Sequence, residues 1–215
     1  MKLYLLRHGE TDWNKKGFFQ GQTDIPLNDA GRELAVLTRS NMPEVKFDRV
    51  YCSPLCRAVE TAEIFLKGRF PLEEIRRDER IKEFSFGNQE GASIEQAKND
   101  TSHPMYNMLW HPELYVPAPG GGESFQQLAA RAAGFLRDEI LPLEGQCENV
   151  LIVAHGALNR SLLVAAGLKE VKDFWSTKYL NCCVTTLDVV GGKVSIVSEA
   201  EIYYDPANYA TVWAK

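Results

Sequence analysis

Four short clusters in this chain of 215 residues carry side chains able to move a charged group: Arg7-His8-Gly9-Glu10, Ser53 with Arg57, Glu83, and His155-Gly156. Two imidazoles, two guanidiniums and a carboxylate are the parts needed to transfer a phosphoryl group without a metal. A phosphoryl group spreads charge over three equatorial oxygens, and planar guanidinium forks fixed beforehand match that distribution. Arg57, expected in the first turn of a helix, would add the positive end of the backbone dipole. A neutral imidazole whose other nitrogen is held by an acceptor can attack phosphorus, giving a phosphohistidine that water then hydrolyses; His8 and His155 both qualify by residue type. Glu83 can protonate the leaving alkoxide and then act as base toward water.

Each cluster lies where elements of an α/β sheet should end, and ligands of such sheets gather outside the carboxyl ends of the strands. Leu3 to Leu6 is an apolar run that stops at Arg7-His8, as a buried strand entering a loop would. After a Gly/Gln/Asp-rich loop, Gly17 to Pro26, Asn28 is expected to cap a helix with Ala30, Leu34 and Leu37 on its apolar stripe. Asp48 to Cys52 reads as a second strand. Ser53-Pro54 then reads as an N-cap and first helical residue, with Leu55, Ala58, Ala62 and Phe65 on one face. In the charged stretch Glu73 to Glu83, Ile75 and Ile81 are placed on extended segments. From Ala92 to Gly122 the periodicity is broken by Pro104, Pro112, Pro117 and Pro119, and the segment is expected to be an insertion or lid. Ser124 with Gln127 resembles a capping box for a helix carrying Phe125, Leu128, Ala132, Phe135 and Leu136. Asn149 to Ala154 reads as a strand ending at His155-Gly156, followed by an apolar helix reaching Gly167. Val184 to Val190 and Lys193 to Ser198, joined by Gly191-Gly192, predict a hairpin.

These elements predict an α/β fold: a three-layer α/β/α sandwich with a mostly parallel central sheet, an antiparallel edge strand and a small helical or loop insertion over the site. One domain would span 1–215, with 92–122 as the lid. A net charge of −5 and no basic run longer than Arg76-Arg77 argue against nucleic acid or an anionic membrane as partner. The apolar stretch before Arg7 is too short for a signal sequence and no run has the length of a membrane span, so the chain is expected in the cytoplasm. Five cysteines without a repeated spacing are expected to be reduced thiols, Cys52 and Cys56 among them as small hydrophobes rather than metal ligands. His103 and His111 lack zinc spacing. Taken singly, His8 would be an ordinary loop histidine, Arg7 and Arg57 surface ion-pair residues, and Glu83 part of an acidic face with Glu79 and Glu90. Tyr106, Trp110 and Tyr115 suit a small core and a substrate wall equally.

Five blocks, in order, resemble the histidine phosphatase superfamily, which includes the cofactor-dependent phosphoglycerate mutases. They are Leu6-Arg7-His8-Gly9-Glu10-Thr11 with Asn14; Ser53-Pro54-Leu55 through Arg57-Ala58 and Glu60-Thr61; Glu83 with Gly87 and Glu90-Gly91; Gly121-Gly122-Glu123-Ser124; and Val153-Ala154-His155-Gly156. The resemblance implies that His8 is the nucleophile and that His155 hydrogen-bonds the transferring group. It also implies that Arg7 and Arg57 bind that group and that Glu83 is the proton donor. Asn14 and the loop around Gln20-Gly21 would line the pocket, and the backbone after His155, from Gly156, would add a donor. No metal and no organic cofactor is implied.

Mutases of this family use several cations in the insertion, whereas here Lys98 is the only Lys or Arg between Ala92 and Gly122. That departure favours a phosphomonoester hydrolase acting on a small phosphorylated metabolite whose body is apolar or heterocyclic. The alternatives are a phosphoglycerate mutase, an α-ribazole-5'-phosphate phosphatase, and a binding domain that has lost turnover. Monomer and homodimer both remain open.

Overall fold

The structure is a computed structural model, and it describes residues 1–209. Its strands are β1 (Lys2–Arg7), β2 (Arg49–Cys52), β3 (Arg76–Arg77), β4 (Asn149–Ala154), β5 (Val184–Val190) and β6 (Lys193–Glu201). Its α-helices are α1 (Asp12–Lys16), α2 (Asp29–Asn41), α3 (Cys56–Leu66), α4 (Ile94–Asn99), α5 (Tyr106–Trp110), α6 (Phe125–Phe135) and α7 (Gly156–Ala165). The strands form one sheet in the order β3-β2-β4-β1-β5-β6. β1, β2, β3 and β4 pair in parallel, and the β5–β6 hairpin joins antiparallel to β1.

Alternation along the strands divides the core into two layers. Leu3, Leu5, Val150 and Ile152 pack against Leu128 and Ala132 of α6 and Leu158 and Leu162 of α7. Leu6, Leu151 and Val153 face the other way, toward Leu34 of α2 and Ala58, Ala62 and Phe65 of α3. The expected three-layer α/β/α sandwich is thus observed. Residues 92–122 are more regular than their sequence suggested: Ile94, Ala97, Met105, Met108, Tyr115 and Ala118 are buried in the same core as α6 and α7. Among the described residues no helix is long and apolar enough to cross a membrane.

Three local expectations change. α1 went unread in the loop after His8, because only five residues lie between its N-cap, Thr11, which forms a capping box with Asn14, and the left-handed Gly17. Ser53 does not cap α3: that helix starts at Cys56, and its N–H is held by Asp24 Oδ1 at 2.7 Å. Glu73 to Glu83 contributes only the two-residue edge strand β3 and two 3-10 turns, one of which buries Ile81.

Candidate active site

β1, β4 and β2 lie side by side and end at one edge, each delivering a different group. Arg7 pairs with Ala154 in the β1–β4 register; beyond it the His8 N–H donates to the Ala154 carbonyl (3.0 Å), and the Ser53 N–H donates to the Val153 carbonyl (3.0 Å). This sets the His8 and His155 rings 5.2 Å apart, centroid to centroid, with their planes inclined by 58°. Both imidazoles are buried. His8 Nδ1 lies 2.6 Å from the Gly9 carbonyl oxygen. A carbonyl only accepts, so Nδ1 carries the proton and Nε2 keeps its lone pair. Burial, reinforced by the Arg57 and Arg7 guanidiniums, holds His8 well below the ordinary imidazole value despite the Gly9 carbonyl.

His155 is arranged in the complementary way. Its Nε2 is 2.7 Å from Ser53 Oγ, while its Nδ1 is buried without a partner among the described residues. Ser53 Oγ takes the Leu55 N–H (3.4 Å), and among the described residues His155 Nε2 is the one acceptor facing its hydroxyl hydrogen, so the hydroxyl donates to Nε2 and the ring proton sits on Nδ1. Burial, followed by the charge of Arg57, keeps this ring neutral as well. One neutral imidazole offers a lone pair and its neighbour offers an N–H.

Arg57 is fully buried in the first turn of α3. It donates from Nη2 to the Gly21 carbonyl (2.7 Å) and from Nη1 to the Thr23 carbonyl (2.9 Å). Gln20, with its NH2 turned to Thr11 Oγ1, accepts from Arg57 Nε (2.7 Å) and Nη1 (3.0 Å). The 20–23 loop therefore orients Arg57 as well as lining the pocket. Glu90 holds that loop, accepting from the Gln22 N–H (2.9 Å), the Thr23 N–H (2.8 Å) and the Thr23 hydroxyl. Gly21 sits at φ +57°, and a Cβ there would stand 2.0 Å from Glu90 Oε1, so conformation and space both require glycine. Burial pushes Arg57 down to about 10, against the opposing influence of Glu83, which leaves it charged at neutral pH. Arg7 donates from Nη1 to the Tyr179 carbonyl (2.6 Å), and its Nε is buried without a partner among the described residues. Asn14 commits its carbonyl oxygen to the Thr11 N–H and Asn181 Nδ2 (both 3.2 Å), which leaves its NH2 for the cavity it lines.

Glu83 lies at the N-terminus of α7. Oε1 accepts from the N–H groups of Phe84 (2.9 Å) and Leu158 (3.1 Å), and Oε2 from that of Ala157 (3.3 Å). Those two backbone donors after His155 thus engage Glu83, as a helix N-terminus attracts the nearest carboxylate. The loop carrying Glu83 is clamped by Arg131 of α6, which donates to the carbonyls of Arg80 (2.7 Å), Lys82 (2.6 Å) and Glu83 (2.8 Å). Glu123 closes the clamp, pairing with Arg131 Nε (2.7 Å) and accepting from the Ser85 N–H (2.9 Å). Sequence reading saw Glu123 only as part of a motif and missed Arg131.

Above these groups opens a cavity of about 230 Å³. Every site residue expected from the sequence lines it except His155, which is fully buried beside His8. Phe18, Phe86, Trp110 and Trp175 form an aromatic wall, whereas Tyr115 is buried in the core. Arg160 also lines the cavity and was not read from the sequence. Its guanidinium lies over the rings of Tyr179 (4.1 Å) and Trp175 (5.0 Å) and donates to the carbonyls of Gly156 (2.9 Å) and Thr177 (2.8 Å). The available signal was its position one helical turn after Gly156, on the same face of α7. Among the described residues no group of three or more His, Cys, Asp or Glu is placed to hold a metal ion.

The chain is similar to known proteins over most of its length. The family model of the histidine phosphatase superfamily (branch 1) matches residues 3–201. A 2,3-bisphosphoglycerate-dependent phosphoglycerate mutase of Parvibaculum lavamentivorans is 36% identical over 169 residues, covering 75% of this chain and 78% of the mutase. The structure of Bacillus stearothermophilus YhfR superposes with a TM-score of 0.82 at 33% identity, covering 94% of this chain and 97% of that one. A phosphoserine phosphatase variant from Entamoeba histolytica, solved with phosphoserine, superposes with a TM-score of 0.77 at 27% identity over 92% of this chain and 95% of its own.

Proposed function

The chain belongs to the histidine phosphatase superfamily, and from that premise we propose that it is a metal-independent phosphomonoester hydrolase working through a phosphohistidine on His8. The observation that carries this reading is the Nδ1–Gly9 hydrogen bond, which fixes the tautomer with a lone pair on Nε2. In the first half-reaction Nε2 attacks phosphorus, the bond from phosphorus to the ester oxygen breaks, and the Glu83 carboxyl group gives its proton to the leaving alkoxide. In the second, the Glu83 carboxylate takes a proton from water, the new hydroxyl attacks phosphorus, and the N–P bond breaks to return neutral His8 and inorganic phosphate. Arg7, Arg57, the Asn14 NH2 and the His155 Nδ1–H surround the equatorial oxygens in both steps. Substrates are small phosphorylated metabolites, covered by residues 92–122. The unpaired cysteines and the absence of a basic run favour a cytoplasmic enzyme without a nucleic-acid or membrane partner.

A steady-state screen of phosphomonoesters in chelator tests the reading, with 3-phosphoglycerate and a 2,3-bisphosphoglycerate primer run beside it. Phosphate release without isomerisation, and its loss together with acid-labile protein phosphorylation in His8→Ala, is the expected result. The relationship to a phosphoglycerate mutase favours one second reading: fast isomerisation in that assay would assign the chain to the mutases.

A further inference from the structure

Asn181 is buried in the connection between α7 and β5, and it does not line the cavity. Its Nδ2 stands 3.0 Å from the Gly9 carbonyl oxygen, 3.1 Å from that of His8 and 3.2 Å from Asn14 Oδ1. An amide NH2 only donates, so all three oxygens meet it as acceptors and share its two hydrogens. The Gly9 carbonyl is the one that holds the Nδ1 proton of His8. Its two lone pairs are thus divided between the ring of the nucleophile and Asn181. The same peptide segment is tied on its other side, where the Gly9 N–H donates to Thr61 Oγ1 (2.9 Å) and the Thr61 hydroxyl donates to the Arg57 carbonyl (2.6 Å). Asn14 Oδ1 is drawn away from the cavity by Asn181 together with the Thr11 N–H, which leaves the Asn14 NH2 facing into it.

The backbone bends to make this contact. Cys182, the next residue, takes φ +56°, in the left-handed region that an L side chain enters only at a cost. From that bend its N–H donates to the His8 carbonyl (3.2 Å), and the Cys183 carbonyl accepts from the Arg7 N–H (3.0 Å). The Tyr204 hydroxyl donates to the Asn181 carbonyl (2.6 Å). Strain held by so many bonds at the edge of a reaction centre points to a residue that must stay in place. We propose that Asn181 is a positioning residue of the reaction: its one NH2 group fixes the Gly9 carbonyl that sets the His8 tautomer and turns the Asn14 amide toward the phosphoryl oxygens. The nucleophile and a donor to the transferring group are thereby aligned by one side chain outside the cavity. The inference rests on the hydrolase reading and adds to it a residue that touches no reacting atom.

Asn181→Leu stays close to the native volume and removes the donor; Asn181→Ala removes both and serves if the leucine variant does not fold. Single-turnover phosphorylation by saturating p-nitrophenyl phosphate should fall about 30-fold, less than the roughly hundredfold cost of deleting a donor that touches the oxygens itself. On an Asn14→Ala background the further loss should shrink to about fivefold, because part of the effect passes through Asn14. Nitrogen-15 NMR of the histidine-labelled resting enzyme, with His8 assigned by comparison with His8→Asn, supplies a readout that packing alone does not move. The His8 ring is expected to carry its proton on Nδ1 in the wild type and to show mixed tautomers in the variants. A folded variant that phosphorylates within threefold of the wild-type rate would overturn the assignment. So would losses that multiply in full on the Asn14→Ala background together with an unchanged His8 tautomer. The tautomer is read without substrate, so this failure is distinct from failure of the hydrolase reading, which shows as absent phosphate release by the wild-type protein.

Discussion

Ser53 is the residue whose removal tests the proposed division of labour between the two histidines most sharply. Its buried hydroxyl stands 2.7 Å from His155 Nε2 and is that nitrogen's hydrogen-bond partner. Ser53→Ala leaves Nε2 as a buried acceptor without a donor, which costs about 1–3 kcal/mol. The ring escapes that cost by moving its proton from Nδ1 to Nε2, but a lone pair then faces the phosphoryl oxygens. Either way the loss falls on the state in which those oxygens carry most charge. At about 1.4 kcal/mol per tenfold in rate, kcat should fall between about fivefold and 150-fold. The start of α3 is held separately by Asp24, so the fold should survive. Single-turnover phosphorylation of the enzyme by p-nitrophenyl phosphate, read beside a denaturant melt, measures the effect. A folded Ser53→Ala protein that phosphorylates within threefold of the wild-type rate would refute the argument that Ser53 sets the His155 tautomer.

Glu83→Gln should slow poor leaving groups far more than p-nitrophenolate, and Arg131→Ala should reproduce part of that selectivity, with about a tenfold loss on alkyl phosphates, because Arg131 holds the Glu83 carbonyl; equal losses on both substrate classes would show that the clamp does not act through the acid. Both histidines are held well below the ordinary value of 6.5, so under mildly acidic conditions the unfolded chain binds protons that the folded one refuses, and stability declines as pH falls below about 6.5. The thermal midpoint should therefore drop between pH 7 and pH 5 by less in His8→Asn than in wild type, and identical drops would contradict the neutral assignment of His8. Gly21→Ala should destabilise the protein by at least ~1 kcal/mol from its backbone conformation alone and weaken phosphate binding through Arg57, both readable from chemical denaturation with and without phosphate.

The parts of the fold legible in the sequence were those written in strong local patterns. The β-branched run 149–154, the Ser124 capping box and the Gly191-Gly192 hairpin each state their element within a few residues. The proline-broken stretch after Ala92 does not, because its helices are short and its burial depends on the distant α6 and α7. Within the site, His8, Arg57 and Glu83 stood in recognisable blocks. Arg131 and Arg160 did not, since each reaches backbone carbonyls contributed by other segments, and nothing in a linear spacing records which carbonyl an arginine will meet. Ser53 was seen but given the wrong partner: Ser-Pro before a helix is a local signal for a cap, and a tertiary contact to His155 displaced it.

The pairing of β1 with β4 has a consequence for how this protein is made. His8 emerges from the ribosome well before the strand that sets His155 beside it. Through that interval the apolar Leu3, Leu5 and Leu6 lack their partners on both sides, since β4 flanks β1 on one edge and β5, later still, on the other. Long-range pairings of this kind form late and leave nascent chains exposed to aggregation. The active site is therefore an end-to-end proofreader of folding: no fragment lacking β4 can bring the two histidines together, and appearance of enzyme activity during synthesis marks the moment at which the central sheet closes.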